Sequence, residues 1–446
     1  MTRLGDTLRQ AQGMLFTPMF RDFTSLNFCL FTFHSYPYIP TMKILYFHQH
    51  FSTPAGSTGT RSYEMARALL ERGHDVTMVC GAYQLAKSGL DGGSFSSGVK
   101  RGVVDGIDVI EFQLPYSNSD SFLKRTKTFL EYSLKSSLLP FREDFDLLFA
   151  TSTPLTAGIP GILMKLIKPK KFVFEVRDLW PELPREMGVI TNPAVLKAME
   201  LLEWSTYRAA DGAVALSPGI KEGIERRSEN LPVEMIPNGC DLDLFKPTGS
   251  KAEIPGVSDD DFVALFTGAH GIANGLDAAL DAASVLKKRG DNSIKLVFIG
   301  DGREKRRLVQ RARDQQLDNC IFLEPVPKTE LPGYLRRADA GLMLLQNVPA
   351  FYYGTSPNKF FDYISSGLPV LNNYPGWVAE MIRENECGRV VSPESPKAFA
   401  DGLQEMKKGV HQTEQGQNAR ALAERKFSRK DLSNRFVEFL EEVYRS

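Results

Sequence analysis

Short apolar runs, each followed by small-residue turns and then a longer stretch of helical spacing, recur along the chain from residue 43. KILYF at 43–47 opens the series and is followed by the loop STPAGSTGTR at 52–61. A helical stretch then sets Tyr63, Ala66, Leu69 and Leu70 on one face, Gly73 ends it, and VTMVC at 76–80 forms the next strand. Strand, loop, helix and strand make a βαβ unit whose loop lies at a helix N-terminus, where free N–H groups hold anions. Repetition of that unit restricts the chain to open, mostly parallel, doubly wound α/β sheets. No G-x-G-x-x-G follows the first strand, which argues against a dinucleotide site.

The series continues through IDVIEF (107–112), FDLLFA (145–150), KFVFEV (171–176), GAVAL (212–216) and VEMI (233–236), with 81–106 read as loop. Ligands bind outside the carboxyl ends of such strands, which puts Arg177 and Asp178, in RDLWPELP at 177–184, where chemistry is expected. IPNGCDLDLFKP at 236–247 and the turn-rich stretch after it mark a boundary. The pattern then restarts with FVALFTG (262–268), IKLVFIG (294–300), IFLEPV (321–326), AGLMLL (340–345), PVLNN (369–373) and GRVVS (388–392). Its opening loop, GAHGIANG at 268–275, repeats the small-residue turn of the first half. The expected organisation is one Rossmann-like domain at 42–247 and a second at 248–430, facing each other across a cleft. A final amphipathic helix at 431–446 would pack back with Phe436, Phe439, Leu440 and Val443.

Lys+Arg and Asp+Glu both total 54, so no overall field favours nucleic acid. The five cysteines are scattered, with no C-x-x-C pair, which suits free thiols in a reducing, cytoplasmic compartment. Residues 1–41 do not share the periodic pattern and read as a poorly ordered extension or, alternatively, a short amphipathic anchor. Residues 121–171 carry nine Lys/Arg against four acids. That excess is either a solvated helix face or a patch for peripheral contact with anionic lipid. On the helix within it, Phe122, Phe129, Tyr132 and Leu138 read as the apolar stripe, and Trp204 and Tyr207 further on read as core.

The stretch SPNKFFDYISSGLPV at 356–370 concentrates the polar chemistry: Ser356, Asn358 and Lys359 precede an aromatic helix start, with Asp362 assigned to its N-terminus. Free N–H groups, one lysine and one carboxylate suit a ligand with phosphates at one end and hydroxyls at the other, the outline of a nucleotide sugar. Asp241-Leu242-Asp243 spells the D-x-D of some metal sites, but within the 236–247 signature Asp241 reads as a turn and capping residue. His48 and His50, after the first strand, are either core histidines or part of an acceptor site.

Together, IPNGCDLDLFKP, SPNKFFDYISSGLPV and FEVRDLWPE (174–182) resemble glycosyltransferase family 4, which has the GT-B fold. The third stretch is most similar to fucosaminyl (N-acetyl-amino-deoxyhexosyl) transferases that build bacterial O-antigen and capsule. The resemblance implies a retaining, metal-independent transferase with no cofactor. It would move a sugar from a nucleoside-diphosphate donor, UDP-linked in this subgroup, to a lipid-diphosphate-linked saccharide at the inner face of the membrane. Carried onto this chain, Asp362 takes the family's ribose-binding carboxylate and Lys359 the charge at the diphosphate. Asp362 stands at the second glutamate of the family's E-x7-E motif and Gly354 where its first is usual, and His270 and Asn274 replace an arginine and a lysine. Gly268 begins the phosphate loop, and Gly56, Ser57 and Gly59 match the first-domain loop. Pro325 and Val326 match the base-contacting turn; Arg177, beside Asp178, stands where a histidine is common, and Arg303 is a further charge candidate. These departures leave two alternatives open: a non-catalytic nucleotide-sugar-binding partner of another transferase, or a sugar-nucleotide 2-epimerase.

Overall fold

The computed structural model describes residues 41–83, 85–90, 94–117, 120–409 and 412–446. The expected extension or anchor falls almost wholly on residues 1–40, outside the described residues. Among the described residues the alternation builds two sheets. The first contains β1 (Lys43–Phe47), β2 (Asp75–Tyr83), β3 (Val99–Val104), β4 (Ile107–Tyr116), β5 (Leu147–Thr151), β6 (Lys171–Val176), β7 (Gly212–Ala215) and β8 (Val233–Met235). Their spatial order is β3-β4-β2-β1-β5-β6-β7-β8. The second contains β9 (Phe262–Thr267), β10 (Ile294–Ile299), β11 (Cys320–Leu323), β12 (Ala340–Met343), β13 (Val370–Asn372) and β14 (Gly388–Val390), ordered β11-β10-β9-β12-β13-β14. Every pairing is parallel except β3 with β4. Strand order reverses beside β1 in one sheet and beside β9 in the other, so each half opens a crevice above the carboxyl end of its first strand.

Three local expectations fail. Residues 81–106 are not all loop, because β3 pairs antiparallel with β4 through a turn at Asp105-Gly106. Both turn residues have positive φ, +48° and +86°, as a tight hairpin requires, and the Asp-Gly pair is the signal for it. The helix Phe122–Ser136 buries Thr128, Tyr132, Ser133 and Ser136 while Leu123, Leu130 and Leu134 face solvent, as does Leu138 just beyond it. Of the expected stripe, Tyr132 is buried and Phe129 half-buried, and Leu138 is the residue that fails. Trp204 is also exposed, on the helix Pro193–Ala209, whereas Tyr207 is buried.

The chain crosses between the halves twice, and the crossings are bonded to each other. Cys240 donates its N–H to the Phe427 carbonyl at 2.7 Å, and Arg429 donates to the Cys240 carbonyl at 3.0 Å. Beyond that point the helix Arg429–Arg445 buries Phe436, Phe439, Leu440 and Val443 in the core of the first half.

The first crossing is held by Arg61, the first residue of the helix Arg61–Glu71, whose side chain is wholly buried. Its Nε donates to Glu175 Oε2 at 2.9 Å, Nη1 to the Pro237 carbonyl at 2.7 Å and Nη2 to the Ile236 carbonyl at 2.8 Å. Glu175 also accepts from Thr151 Oγ1 at 2.8 Å. Burial alone would raise the Glu175 carboxyl, but the charges of Arg61 and Arg177 hold it below its ordinary value. Replacing Arg61 with leucine strands a buried carboxylate, and urea denaturation should show a loss of about 3–5 kcal/mol. The double variant Arg61→Leu/Glu175→Leu should recover part of it. An Arg61→Leu midpoint equal to wild type would rule out this role.

Candidate active site

The two crevices form one cleft with two chambers. The first, of about 360 Å³, lies between loop residues 57–59 of the first half and the second half's β9 and β10 ends, its 325–331 turn and the start of the helix Asn358–Ser365. The second, of about 400 Å³, is lined by His48, His50, Thr153, Arg177, Asp178 and Asn238. Thr58, Gly59, Asn274, Pro357 and Asn358 line both and form the shared wall.

Pro357 is extended (φ −74°, ψ 119°), so the helix begins at Asn358; the Asn358 and Lys359 N–H groups precede any intrahelical acceptor, while Phe360 donates its N–H to the Pro357 carbonyl at 3.1 Å. Lys359 follows at the chamber wall. Its Nζ donates to Asn274 Oδ1 at 2.6 Å and lies 4.5 Å from the centre of the Phe266 ring. The Asn274 amide is oriented by donating Nδ2 to the Ala269 carbonyl at 2.7 Å. Gly268 has φ +130°, a conformation that favours glycine, and a Cβ there would come within 3.3 Å of Lys359 Cε. Burial pulls the Lys359 ammonium down to about 7.

Asp362 lines the first chamber but not at the helix N-terminus; it is the fifth helical residue. Its Oδ1 is buried without a hydrogen bond, 3.7 Å from Lys328 Nζ. Asp241 is not merely a turn residue either. It pairs with Lys328 Nζ at 2.8 Å and with Arg429 Nε, and the Arg429 charge ahead of Lys328 outweighs burial to hold its carboxyl down at about 2. Asp243, the other half of D-x-D, is fully exposed. Among the described residues no group of three His, Cys, Asp or Glu side chains could hold a metal ion.

In the second chamber Arg177 Nη1 lies 3.0 Å from His48 Nε2. A guanidinium only donates, so Nε2 accepts and the imidazole carries its proton on Nδ1. Burial first, and then the Arg177 charge, lower the pKa of His48 well below its ordinary value and that of His50 to about 3. Both rings are thus neutral. Asp178 accepts from Thr153 Oγ1 at 3.5 Å, and burial raises its carboxyl against the pull of Arg177.

Of the residues singled out from sequence, Ser57, Gly59, Gly268, Asn274, Pro325, Val326, Asn358, Lys359 and Asp362 line the first chamber, and Arg177 and Asp178 the second. Three do not line it. Gly56 stands behind the wall, where a Cβ would lie 2.3 Å from Ser52 Oγ and its carbonyl accepts from the Lys328 N–H at 3.1 Å. His270 turns inward among Phe266, Phe298 and Phe322, with neither ring nitrogen bonded, and burial lowers it to about 4. Arg303 is exposed and lines neither chamber. At Gly354 a Cβ would meet open space, so packing does not exclude a side chain there. Lys328, Asn238 and Thr153 went unrecognised; Asn238, in the IPNG run, donates to Ser356 Oγ at 2.9 Å and to its carbonyl at 2.5 Å.

Two facing doubly wound halves with a charged cleft between them define the GT-B class of transferase. Residues 56–239 match the glycosyl transferase 4-like domain and residues 250–422 match glycosyl transferases group 1. The chain thus carries a glycosyl transferase 4-like domain followed by a glycosyl transferases group 1 domain. A curated relative, the D-inositol 3-phosphate glycosyltransferase of Paenarthrobacter aurescens (strain TC1), is 26% identical over 185 residues. That match covers 39% of this chain and 43% of the relative's length, so the chain is matched to less than half of that protein. Among solved structures, sucrose-phosphate synthase from Thermosynechococcus elongatus superposes with TM-score 0.72 at 17% identity, covering 91% of this chain and 99% of the other. WaaG, a glycosyltransferase involved in lipopolysaccharide biosynthesis, gives 0.63 at 15% identity, with 89% and 99% covered. HepE of Anabaena, in complex with UDP and glucose, gives 0.61 at 16% identity, with 90% and 99% covered. At these identities the likeness concerns the fold.

The lowered pKa of Lys359 has a stability consequence. Between about 7 and its ordinary 10.5 the unfolded chain binds a proton that the native protein does not, so this group makes stability rise with pH across that window. Below it, the full cost of burying the ammonium applies. Lys359→Met should therefore raise the thermal midpoint at pH 6, with the gain shrinking by pH 9. An equal gain at both values would contradict the assigned protonation.

Proposed function

We propose that this chain is a retaining glycosyltransferase that moves a sugar from a nucleoside-diphosphate donor in the first chamber to an acceptor hydroxyl in the second. The supporting observation is the shared wall: Asn274 and Asn358 line both chambers, with Lys359 on one side and Arg177 and Asp178 on the other. The base would meet the Pro325–Val326 turn, the ribose hydroxyls Asp362, and the diphosphate Lys359 with the first-turn N–H groups. The bond from anomeric carbon to diphosphate oxygen breaks as the acceptor oxygen bonds that carbon, and the acceptor's proton leaves with the departing diphosphate. No metal is invoked. Lys359 and Arg177 supply charge where the leaving group develops it.

The donor is proposed as UDP-linked; HepE was solved with UDP. An N-acetylated amino-deoxy sugar and a lipid-diphosphate-linked acceptor for O-antigen or capsule rest on the resemblance of FEVRDLWPE. The inward His270 and the missing carboxylate at Gly354 favour, as a second reading, a nucleotide-sugar-binding partner without turnover. Incubation with a panel of nucleoside-diphosphate sugars and lipid-linked acceptors separates the two. Turnover is expected, with Lys359→Ala slower by about a hundred- to thousandfold. Binding without turnover would support the second reading, and a wild-type rate in Lys359→Ala would remove Lys359 from the site.

Peripheral membrane contact is proposed through the outward leucines of the helix Phe122–Ser136 and through Leu163, Leu166 and Ile167 of the helix Ile159–Ile167, flanked by Lys124, Lys127, Lys165 and Lys168. No helix among the described residues is long and apolar enough to cross a membrane. Protein should sediment with anionic vesicles, and Leu166→Asp/Ile167→Asp should release most of it. Equal sedimentation of the variant would exclude this face.

A further inference from the structure

The seam of the cleft holds a lysine that the proposed reaction does not use. Lys328 follows the 325–327 turn of the second half, and its side chain is 7% exposed. Its N–H donates to the Gly56 carbonyl at 3.1 Å, and its Nζ donates to Thr60 Oγ1 at 3.4 Å, both on the first half. The same Nζ pairs with Asp241 Oδ2 at 2.8 Å on the crossing segment and lies 5.4 Å from the Phe245 ring centre. It also lies 3.7 Å from Asp362 Oδ1, an oxygen that is buried at the chamber wall without a hydrogen bond. One cation thus touches the first-half loop, the crossing segment and the helix that carries Asp362.

We propose that Lys328 is a positioning residue that presents the Asp362 carboxylate to the nucleoside diol and ties that contact to the first-half loop closing the chamber. The proposal rests on the reading of the first chamber as a nucleotide site. A buried carboxylate oxygen lacking a donor is costly unless a ligand hydroxyl completes it. The two hydroxyls of a ribose supply such donors, and Asp362 lines the chamber that would hold them. Burial raises the Asp362 carboxyl and Asp241 adds to this, while Lys328 and Arg429 oppose it. Arg429 bonds Asp241 and the Gly239 carbonyl, at 2.7 Å for the latter, whereas Lys328 is the cation that approaches Asp362 to 3.7 Å. The backbone bond to Gly56 gives the arrangement its second function. Residues 57–59 wall the chamber directly after Gly56, so a shift of Lys328 is transmitted to that wall.

The test compares UDP with its 2′,3′-dideoxy analogue by calorimetry on the full chain. Wild type should bind UDP at least tenfold more tightly than the analogue. Lys328→Met should reduce that preference to less than threefold, because the hydroxyls then meet a carboxylate no longer held in place. Lys328→Arg, which keeps the charge, should restore at least part of the preference. If Lys328→Met does not fold, Lys328→Gln keeps a donor for Asp241 without the charge and is expected to show the same loss. A purely structural role would weaken both nucleotides equally and leave the preference at its wild-type value; that result overturns the proposal while the nucleotide reading stands. Wild-type protein that binds UDP but shows no preference overturns the placement of the ribose at Asp362, and the proposal with it. Wild-type protein that binds neither nucleotide overturns the nucleotide reading itself.

Discussion

The placement of the cleft depends on one buried guanidinium. Arg61 sits at the start of the first helix after the β1 loop, yet it bonds the end of β6 through Glu175 and the crossing segment through the Ile236 and Pro237 carbonyls. A buried charge must be fully partnered, and carbonyls in an irregular crossing segment need donors from elsewhere. Arg61 meets both demands at once. It fixes where the chain leaves the first half, and with it where the helix Asn358–Ser365 can face the loop at 57–59. The second crossing is then bonded to the first through Cys240, which places both passages side by side.

The charges of the cleft are distributed according to burial rather than number. Lys359 is drawn toward neutrality at about 7, His48 and His50 are held neutral beside Arg177, and Asp178 and Asp362 are pushed upward. Arriving negative charge stabilises the protonated form of Lys359. Such a site is organised for a partner that brings its own charge. Asp241 is the exception, held ionised by Lys328 and Arg429, and it belongs to the seam rather than to the chamber wall.

Much of this was legible in residue patterns. The alternation of apolar runs and helices announced two parallel sheets, and small-residue turns after β1 and β9 located the crevices, because period and turn chemistry are local properties. Lys359, Asn358 and Arg177 line the chambers for the same reason: each sits at a strand end or helix start that the pattern places. His270 was misjudged because its loop position resembles that of a ligand residue, while three phenylalanines from separate strands draw its ring inward. Leu138 was misjudged because apolar spacing alone does not say which residues meet the sheet.

Sequence alone determined that this chain builds two doubly wound halves, and that its polar loops gather at the carboxyl ends of their strands. Backbone hydrogen bonding and side-chain period act over a few residues and are written directly in the order of the chain. Only the tertiary structure decided which charges pair across the cleft. Lys328, Asp241, Asp362 and Arg429 are far apart in sequence, and a lysine in a turn gives no local sign of the carboxylates it will face. Their association follows from burial, because a charge removed from water must take the partners that the fold brings within reach.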